Sequence, residues 1–426
     1  MKNRRLVWLR PSSLLTAAIV SGCIAVWCIT ACDTSVVVVS FNSNPSQGSG
    51  IPAQGNGLRS QSYAYVASVN SQDPTAAGAI YQYSINADGS LSPLHVPSVP
   101  TGVDPRSIIA DPTGHFVYTA NGGDGTISEF AVGADGGLTP LLPASILLPG
   151  ASPTATNFSL SIDPAGPYVY VVVSGPNGSQ PQAVVDQFSI GPNGTLTPLI
   201  PASVSVPGLA SGALAIDLTG AYAYLGAAVD NAGAVFQFAI GAQGALTPLP
   251  SASVSTPASV VGIAFAPSGK TAYVLSDCVG TSCDGSVAPY AIANTGVLGP
   301  AGAATLTGSH VNPVDLFVDG SGAAAYLLAN FMGVDTNSGS IYLYTISGAG
   351  ELTPSKPSSI SLTGAAVAQS AFGPDLYVLT GPSSVIGGGV SHVATYSIGN
   401  QGELTSVSGT QISASEPTGM ALVGAH

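Results

Sequence analysis

The sequence predicts an all-β protein: a seven-bladed β-propeller of four-stranded antiparallel blades, its ring closed by the C-terminal strand completing the N-terminal blade. Three observations predict it. A short turn motif recurs seven times at nearly even spacing. Each copy follows a run of segments in which apolar and polar residues alternate. The first copy lacks one of those segments, and the sequence after the last copy supplies it.

The motif is clearest in "DGGLTPLLPASILLPG" (135–150) and "NGTLTPLIPASVSVPG" (193–208). These copies share no charged, His or Cys side chain, so the repetition describes architecture and not chemistry. The turn-plus-Leu unit returns with Leu91, Leu138, Leu196, Leu246, Leu298, Leu352 and Leu404, at spacings from 47 to 58 residues. Gly with Asn or Asp turns the chain, the Leu anchors a fourth strand, and "TPL" opens that strand. Pro is tolerated there because an outermost strand has one edge without ladder bonds.

Before each copy stands a third-strand segment such as "YQYSI", "ISEFAV" or "VFQFAI". Before that come "YAYVAS", "FVYTAN", "YVYVVV" and their kin. Earlier still is a short inner segment ending in a turn, as in "SIIADPTG" and "SLSIDPAG". Period-two alternation bounded by Gly, Pro, Asp and Asn reads as strand. No segment carries a sustained 3.6-residue apolar period with caps, so almost no helix is expected. Four strands in about 50 residues make one blade, and a single blade cannot bury both faces of its sheet. The domain begins at "YAYVAS" with no inner strand before it, and "EPTGMALVGAH" (416–426) supplies that strand at the other end. The closure removes the free edge an open array would expose.

The domain spans residues 60–426. Residues 1–31 read as an export signal. Lys2, Arg4, Arg5 and Arg10 precede an apolar run, and "ITAC" ends at Cys32 before polar "DTS". This resembles the bacterial lipobox, so Cys32 is the expected lipidation site. "VSGC" at Cys23 fits less well because apolar "IAVW" follows, and a transmembrane anchor is the competing reading of the run. Residues 32–59, rich in Ser, Asn, Gln, Gly and Pro, read as a flexible tether. The expected location is therefore outside the cytoplasm, membrane-anchored, facing the periplasm or cell surface.

Cleavage before Cys32 removes those four cations and no acid. It takes 8 Lys+Arg to 4 against 21 Asp+Glu, a formal charge of −17. Nucleic-acid binding needs a basic surface and is excluded as a function class. Cys278 and Cys283, in "DCVGTSCDG", are expected to form a disulfide, since export places them in an oxidising compartment and a hairpin loop brings such Cα atoms together.

The combination of "DPTGHFVYTAN", "GTISEFAV" and "DGGLTPL" resembles the seven-bladed lactonase family, whose best-known members are 6-phosphogluconolactonases. The resemblance covers 60–426. It implies polar residues in a central channel, including a His-Ser pair opening an inner strand with Arg and acidic residues nearby. This sequence departs from that pattern. Arg106 precedes Ser107, and Phe158 stands before Ser159 where the His would be sought. Lys270 falls in a turn and Lys356 in an outer strand.

Two candidate catalytic residues remain: Arg106, to polarise a carbonyl, and His310, placed just before an inner strand, to activate water. Asp88, Asp111, Asp135 and Asp163 read as turn residues bonding nearby backbone N–H groups. Asp124, Asp230, Asp277, Asp284 and Asp335 fall in loops between second and third strands. Such an acidic rim suits Ca²⁺, but no compact Asp-x-Asp loop accompanies it, and neither cofactor nor metal is expected. The sequence therefore points to a monomeric binding module of the cell envelope, taking a small molecule or an envelope protein at one propeller face. The alternative is a lactone hydrolase with an altered channel site.

Overall fold

The computed structural model describes residues 62–424, apart from 74, 153–154, 178–179, 211, 230–231, 280–283, 333–336 and 383–389. The expected signal segment with Cys23 and Cys32, the tether, and Cys283 with its expected pairing to Cys278 lie outside these residues, as do Asp230 and Asp335.

No α-helix occurs among the described residues. β1 (Ser62–Ser68), β2 (Ala77–Ile85) and β3 (Leu91–Val103) are the second, third and outer strands of blade 1. Blade 2 is β4 (Pro105–Ala110), β5 (Phe116–Asn121), β6 (Thr126–Val132) and β7 (Leu138–Leu147). Blade 3 is β8 (Asn157–Ile162), β9 (Tyr168–Asn177), β10 (Gln180–Ile190) and β11 (Leu196–Pro207). Blade 4 is β12 (Ala215–Ile216), β13 (Tyr222–Val229), β14 (Ala232–Ile240) and β15 (Leu246–Thr256). Blade 5 holds β16 (Val260–Phe265), β17 (Thr271–Val279) and β18 (Asp284–Ile292), with its outer strand broken into β19 (Leu298–Pro300) and β20 (Thr305–Ser309). Blade 6 is β21 (Val311–Val318), β22 (Ala324–Met332), β23 (Asn337–Ile346) and β24 (Leu352–Ser361). Blade 7 is β25 (Ala365–Phe372), β26 (Asp375–Gly381), β27 (Ser391–Ile398) and β28 (Leu404–Ile412).

The last strand, β29 (Pro417–Val423), pairs antiparallel with β1, Tyr65 opposite Ala421, and becomes the inner strand of blade 1. The inner strands β29, β4, β8, β12, β16, β21 and β25 each touch the next, and β25 returns to β29. The ring is closed in the way the sequence predicts.

The core lies between blades. Seven clusters of buried apolar side chains each straddle one junction; that of blades 2 and 3 joins Tyr118 and Ile127 to Phe158, Leu160, Val171 and Phe188. Burying a side chain of this size stabilises the fold by about 1.5–3 kcal/mol.

Polar pairings repeat at the same junctions. The second-strand tyrosines Tyr65, Tyr118, Tyr170, Tyr224 and Tyr326 are buried and donate to the carbonyls of Gly136, Gly194, Gly244, Gly296 and Gly402 in the next blade, at 2.6–2.9 Å. These glycines are the turn residues of the repeated motif, with φ between 79° and 85°. A Cβ on Gly136, Gly194, Gly244 or Gly296 would lie 2.2–2.3 Å from an aromatic ring of the preceding blade. Gly is therefore required twice over, by backbone conformation and by close approach.

A third-strand glutamine adds a second bracket. Gln82, Gln187 and Gln237 accept, through Oε1, from the N–H of Leu138, Leu246 and Leu298, the motif Leu of the following blade. Their Nε2 groups donate within their own blades to the carbonyls of Val96, Pro201 and Ser251. Those carbonyls sit where the outer strand slips register, between Tyr81 and Tyr83, Asp186 and Phe188, and Phe236 and Phe238 of the facing third strand. The residues after "TPL" thus form a bulge that carries an acceptor to the glutamine.

Candidate functional site

One end of the ring gathers the starts of the inner strands and the loops between second and third strands. At this end Asp104, immediately before β4, has φ 53°, and His310, immediately before β21, has φ 62°. They are the two non-glycine residues with positive φ among the described residues. Left-handed backbone costs an ordinary residue on the order of 1 kcal/mol and persists where the surroundings impose it.

The surroundings of Asp104 are visible. The β5–β6 loop holds its neighbours, with Gly122 N–H donating to the Asp104 carbonyl (2.8 Å) and Gly123 N–H to that of Val103 (3.0 Å). Asp124 closes the loop by accepting from the Val103 N–H (2.9 Å) and the Thr126 hydroxyl (2.6 Å). Beneath it the Asn121 amide donates to Thr126 and Ser128 (3.0 and 2.9 Å), and Thr101 bonds Thr119. This buried, bonded floor holds the Asp104 backbone in its left-handed conformation.

Arg106 meets that carboxylate. Its Nε donates to Asp104 Oδ2 at 2.8 Å and its Nη2 stands 2.7 Å from the same oxygen. The pair is partly open to solvent, 30% and 24% exposed. The Arg106 stem runs over Gly122 beside the Phe158 ring; a Cβ on Gly122 would meet both at 3.1–3.2 Å. Two of the five guanidinium N–H groups face Asp104, leaving three for a ligand, but the positive charge is neutralised.

His310 lies exposed before the inner strand of blade 6, its ring 6.2 Å from Phe331, itself 40% exposed. Between Arg106 in blade 2 and His310 in blade 6 stand blades 7 and 1. No hydrogen bond, ion pair or ring contact joins the two side chains.

Of the rim acids, Asp124 is spent on its loop, as above. Among the described residues no three His, Cys, Asp or Glu side chains gather in a way that could hold a metal. Lys270 and Lys356 are exposed, Lys270 in the turn before β17 and Lys356 on the outer strand of blade 6. The DP and DG turns behave as read: Asp111 accepts from the N–H of Phe116 (2.7 Å), and Asp88 from the N–H and hydroxyl of Ser90.

Sequence reasoning missed several buried acids, among them one near the axis and one at a blade junction. Asp315, on inner strand β21, is 7% exposed, and burial pushes its carboxyl up to about 7. It accepts from the Leu316 N–H (2.8 Å) and touches Gln369 on inner strand β25 of blade 7. Gln369 gives its Nε2–H to the Tyr326 carbonyl (3.0 Å), while its Oε1 has no partner. Aligning the inner strands on their turn Asp would have exposed Asp315, because the same place holds Ser107, Ser159 and Ala213 in blades 2, 3 and 4. Asp186, on β10, is fully buried, and burial raises its pKa. It accepts from the Gly150 N–H (2.8 Å) and the Ser203 hydroxyl (2.6 Å), tying the blade 2–3 connection to the outer strand. Beside it opens a cleft of about 490 Å³ whose walls include Gly150, Val184 and Ser205.

No protein-family model matches the sequence, and a search of curated proteins finds no match. Solved structures do match. A periplasmic gluconolactonase from Pseudomonas aeruginosa is 16% identical with a TM-score of 0.64, over 86% of this chain and 100% of that one. A putative 6-phosphogluconolactonase from Bacteroides uniformis is 15% identical with a TM-score of 0.64, over 86% and 100%. A hypothetical selenium-binding protein from Sulfolobus tokodaii is 11% identical with a TM-score of 0.61, over 89% and 96%. At such identities the likeness is one of fold: this chain is similar to lactonase-like propellers.

Proposed function

We propose that this chain is an exported, lipid-anchored propeller that binds an uncharged, hydroxyl-rich small molecule at the face carrying Asp104, Arg106 and His310. The observation that carries the reading is the Arg106–Asp104 pair. It offers N–H donors and carboxylate acceptors side by side with no net charge, a combination suited to hydroxyl and lactone oxygens. A phosphorylated ligand would need an unneutralised cation, and a chain with 4 cations against 21 acids after export has little to give. The exposed His310–Phe331 pair adds an aromatic surface of the kind that covers sugar rings. The likeness to a periplasmic gluconolactonase supports an extracytoplasmic setting and a neutral lactone as the ligand class. "ITAC" and the polar stretch behind it support a lipid anchor at Cys32.

A second reading is lactone hydrolysis. What favours it is Asp315, since a carboxyl that ionises near pH 7 suits general base catalysis.

The test is calorimetric titration and steady-state assay of the purified protein with a neutral aldonolactone and its phosphorylated form, Arg106→Ala as control. Binding of the neutral compound, weakened about tenfold in the variant (~1.4 kcal/mol), is expected. Turnover of the phosphorylated lactone at ordinary enzyme rates, roughly 1–1,000 per second, and lost in Arg106→Ala, would overturn the binding reading. Mass spectrometry of the mature N-terminus tests the anchor: a diacylglyceryl group on Cys32 is expected, and a free Asp33 or an uncleaved apolar segment contradicts it.

A further inference from the structure

The glutamine bracket spans three blade junctions, and a fourth carries a close variant of it. In blade 2 its place is taken by Glu129, flanked by Ser128 and Phe130 as Gln187 is flanked by Asp186 and Phe188. Glu129 Oε1 accepts from the Leu196 N–H of blade 3 at 3.0 Å, as the glutamine Oε1 atoms do at their three junctions. The second atom differs. Where Gln82, Gln187 and Gln237 direct an N–H donor at a carbonyl fourteen residues on, Glu129 has Oε2, buried and without a partner.

The carbonyl that corresponds to Val96, Pro201 and Ser251 is that of Pro143. It belongs to the same bulge, here set by the register slip between Ser128 and Phe130. A carboxylate at this place would set a charged acceptor against a carbonyl acceptor. A neutral carboxylic acid would set an O–H donor there and reproduce the amide pattern atom for atom.

We propose that Glu129 is a protonated acid in the folded protein, its Oε2–H donating to the Pro143 carbonyl, and that its ionisation loosens the junction of blades 2 and 3. The blade 2–3 seam is thus held by a proton where the seams that follow blades 1, 3 and 4 are held by amides.

The neighbourhood fits. Glu129 is 1% exposed. On its own sheet Tyr118 lies opposite it, a neutral phenol whose hydroxyl is given to Gly194. Asp111 influences Tyr118 from the adjoining turn. Of the acids on blade 3, Asp186 is committed to Gly150 and Ser203, and Asp163 to the N–H of Ala165. Among the described residues no cation faces Glu129, and burial raises its pKa, opposed by the Leu196 N–H. A raised pKa in the fold means the contribution is whole below the unfolded value near 4.5 and is lost as pH climbs through the folded value.

The experiment compares the full-length protein with Glu129→Gln by thermal unfolding from pH 4 to pH 9, alongside infrared difference spectra at each pH. The two proteins should melt within about 1 °C of each other at pH 4. The variant should then pull ahead by several degrees above neutrality. The protonated-carboxyl C=O band at pH 5–6, to which Asp315 also contributes, should be weaker in the variant than in the parent. A gap in melting temperature that does not change with pH, or a band of equal intensity in the two proteins, overturns the proposal. Glu129→Leu, which keeps the volume and offers no donor, separates the hydrogen bond from bulk: it should melt below Glu129→Gln at every pH, and equality of the two would also count against the O–H donor.

Discussion

The Tyr118 hydroxyl of blade 2 donates to the Gly194 carbonyl of blade 3 at 2.7 Å, with both groups shut away from water. The pair joins residues 76 apart in sequence and is one of five such bonds that seat the same tyrosine on the same turn around the ring. Tyr118→Phe keeps the ring and the packing and leaves the carbonyl without this donor. Loss of about 1–2 kcal/mol is expected, read as a lower urea midpoint at unchanged m-value. A midpoint equal to that of the parent would mean the hydroxyl contributes nothing.

Gly194→Ala should cost more than that. The residue has φ 85°, and its new Cβ would lie 2.2 Å from the Phe116 ring. Backbone strain and forced repacking together should exceed about 2 kcal/mol. Gly348→Ala is the matched control, exposed, without positive φ and with nothing within 4 Å of its Cβ. It should leave the urea midpoint almost unmoved. Comparable losses at the two sites would remove the steric account of the motif glycine.

Deleting residues 417–426 should open the ring. It strips β29 from β1, uncovers Tyr65 and Val66 along the freed edge, and removes Met420, Ala421 and Val423 from the cores on either side. An open array with a bare strand edge aggregates or pairs with a second copy. Size-exclusion chromatography with light scattering should show oligomers or no soluble protein. A stable monomer with the parent's melting temperature would contradict ring closure as the source of stability.

The architecture was legible because it is written in short-range chemistry. Alternation, turn glycines and a Leu every fifty residues or so each act within one blade, and the missing first strand could be matched to "EPTGMALVGAH" by pattern alone. What crosses between blades was less legible. The Gln82–Leu138 bracket links residues 56 apart, and nothing in "YQYSI" marks its glutamine as a partner for the next turn. The site was least legible of all. "DPRSIIADP" places Arg106 on an inner strand, where β4 holds it, but Asp104, two residues before it, reads in sequence as an ordinary DP turn acid. Only the left-handed backbone and the β5–β6 loop reveal it as the partner that neutralises the guanidinium. Asp315 was hidden because "VDLF" resembles any strand with one polar outward residue. Burial, which decides its chemistry, is a property of the ring.

Asp315→Asn gives the sharpest test of that buried acid. Its folded-state pKa is raised from 3.8 to about 7 by burial, so the fold binds a proton that the unfolded chain releases. The stability this proton supports is complete below pH 3.8 and is lost as pH rises through 7. Asparagine retains the shape and cannot ionise. The variant should therefore match the parent near pH 4, overtake it between pH 4 and 7, and hold a constant lead above that, on the order of a few kcal/mol. Urea midpoints at four pH values between 4 and 8 measure this directly. The same titration divides the two functional readings. If Asp315 is a general base, turnover of a neutral lactone should rise with pH through about 7 in the parent and vanish in Asp315→Asn. If the chain binds without turning over, the stability difference should appear with no catalytic counterpart. A parent that is more stable at pH 8 than its variant would show the carboxyl to be ionised and held by partners, and would end its candidacy as a base poised near neutrality.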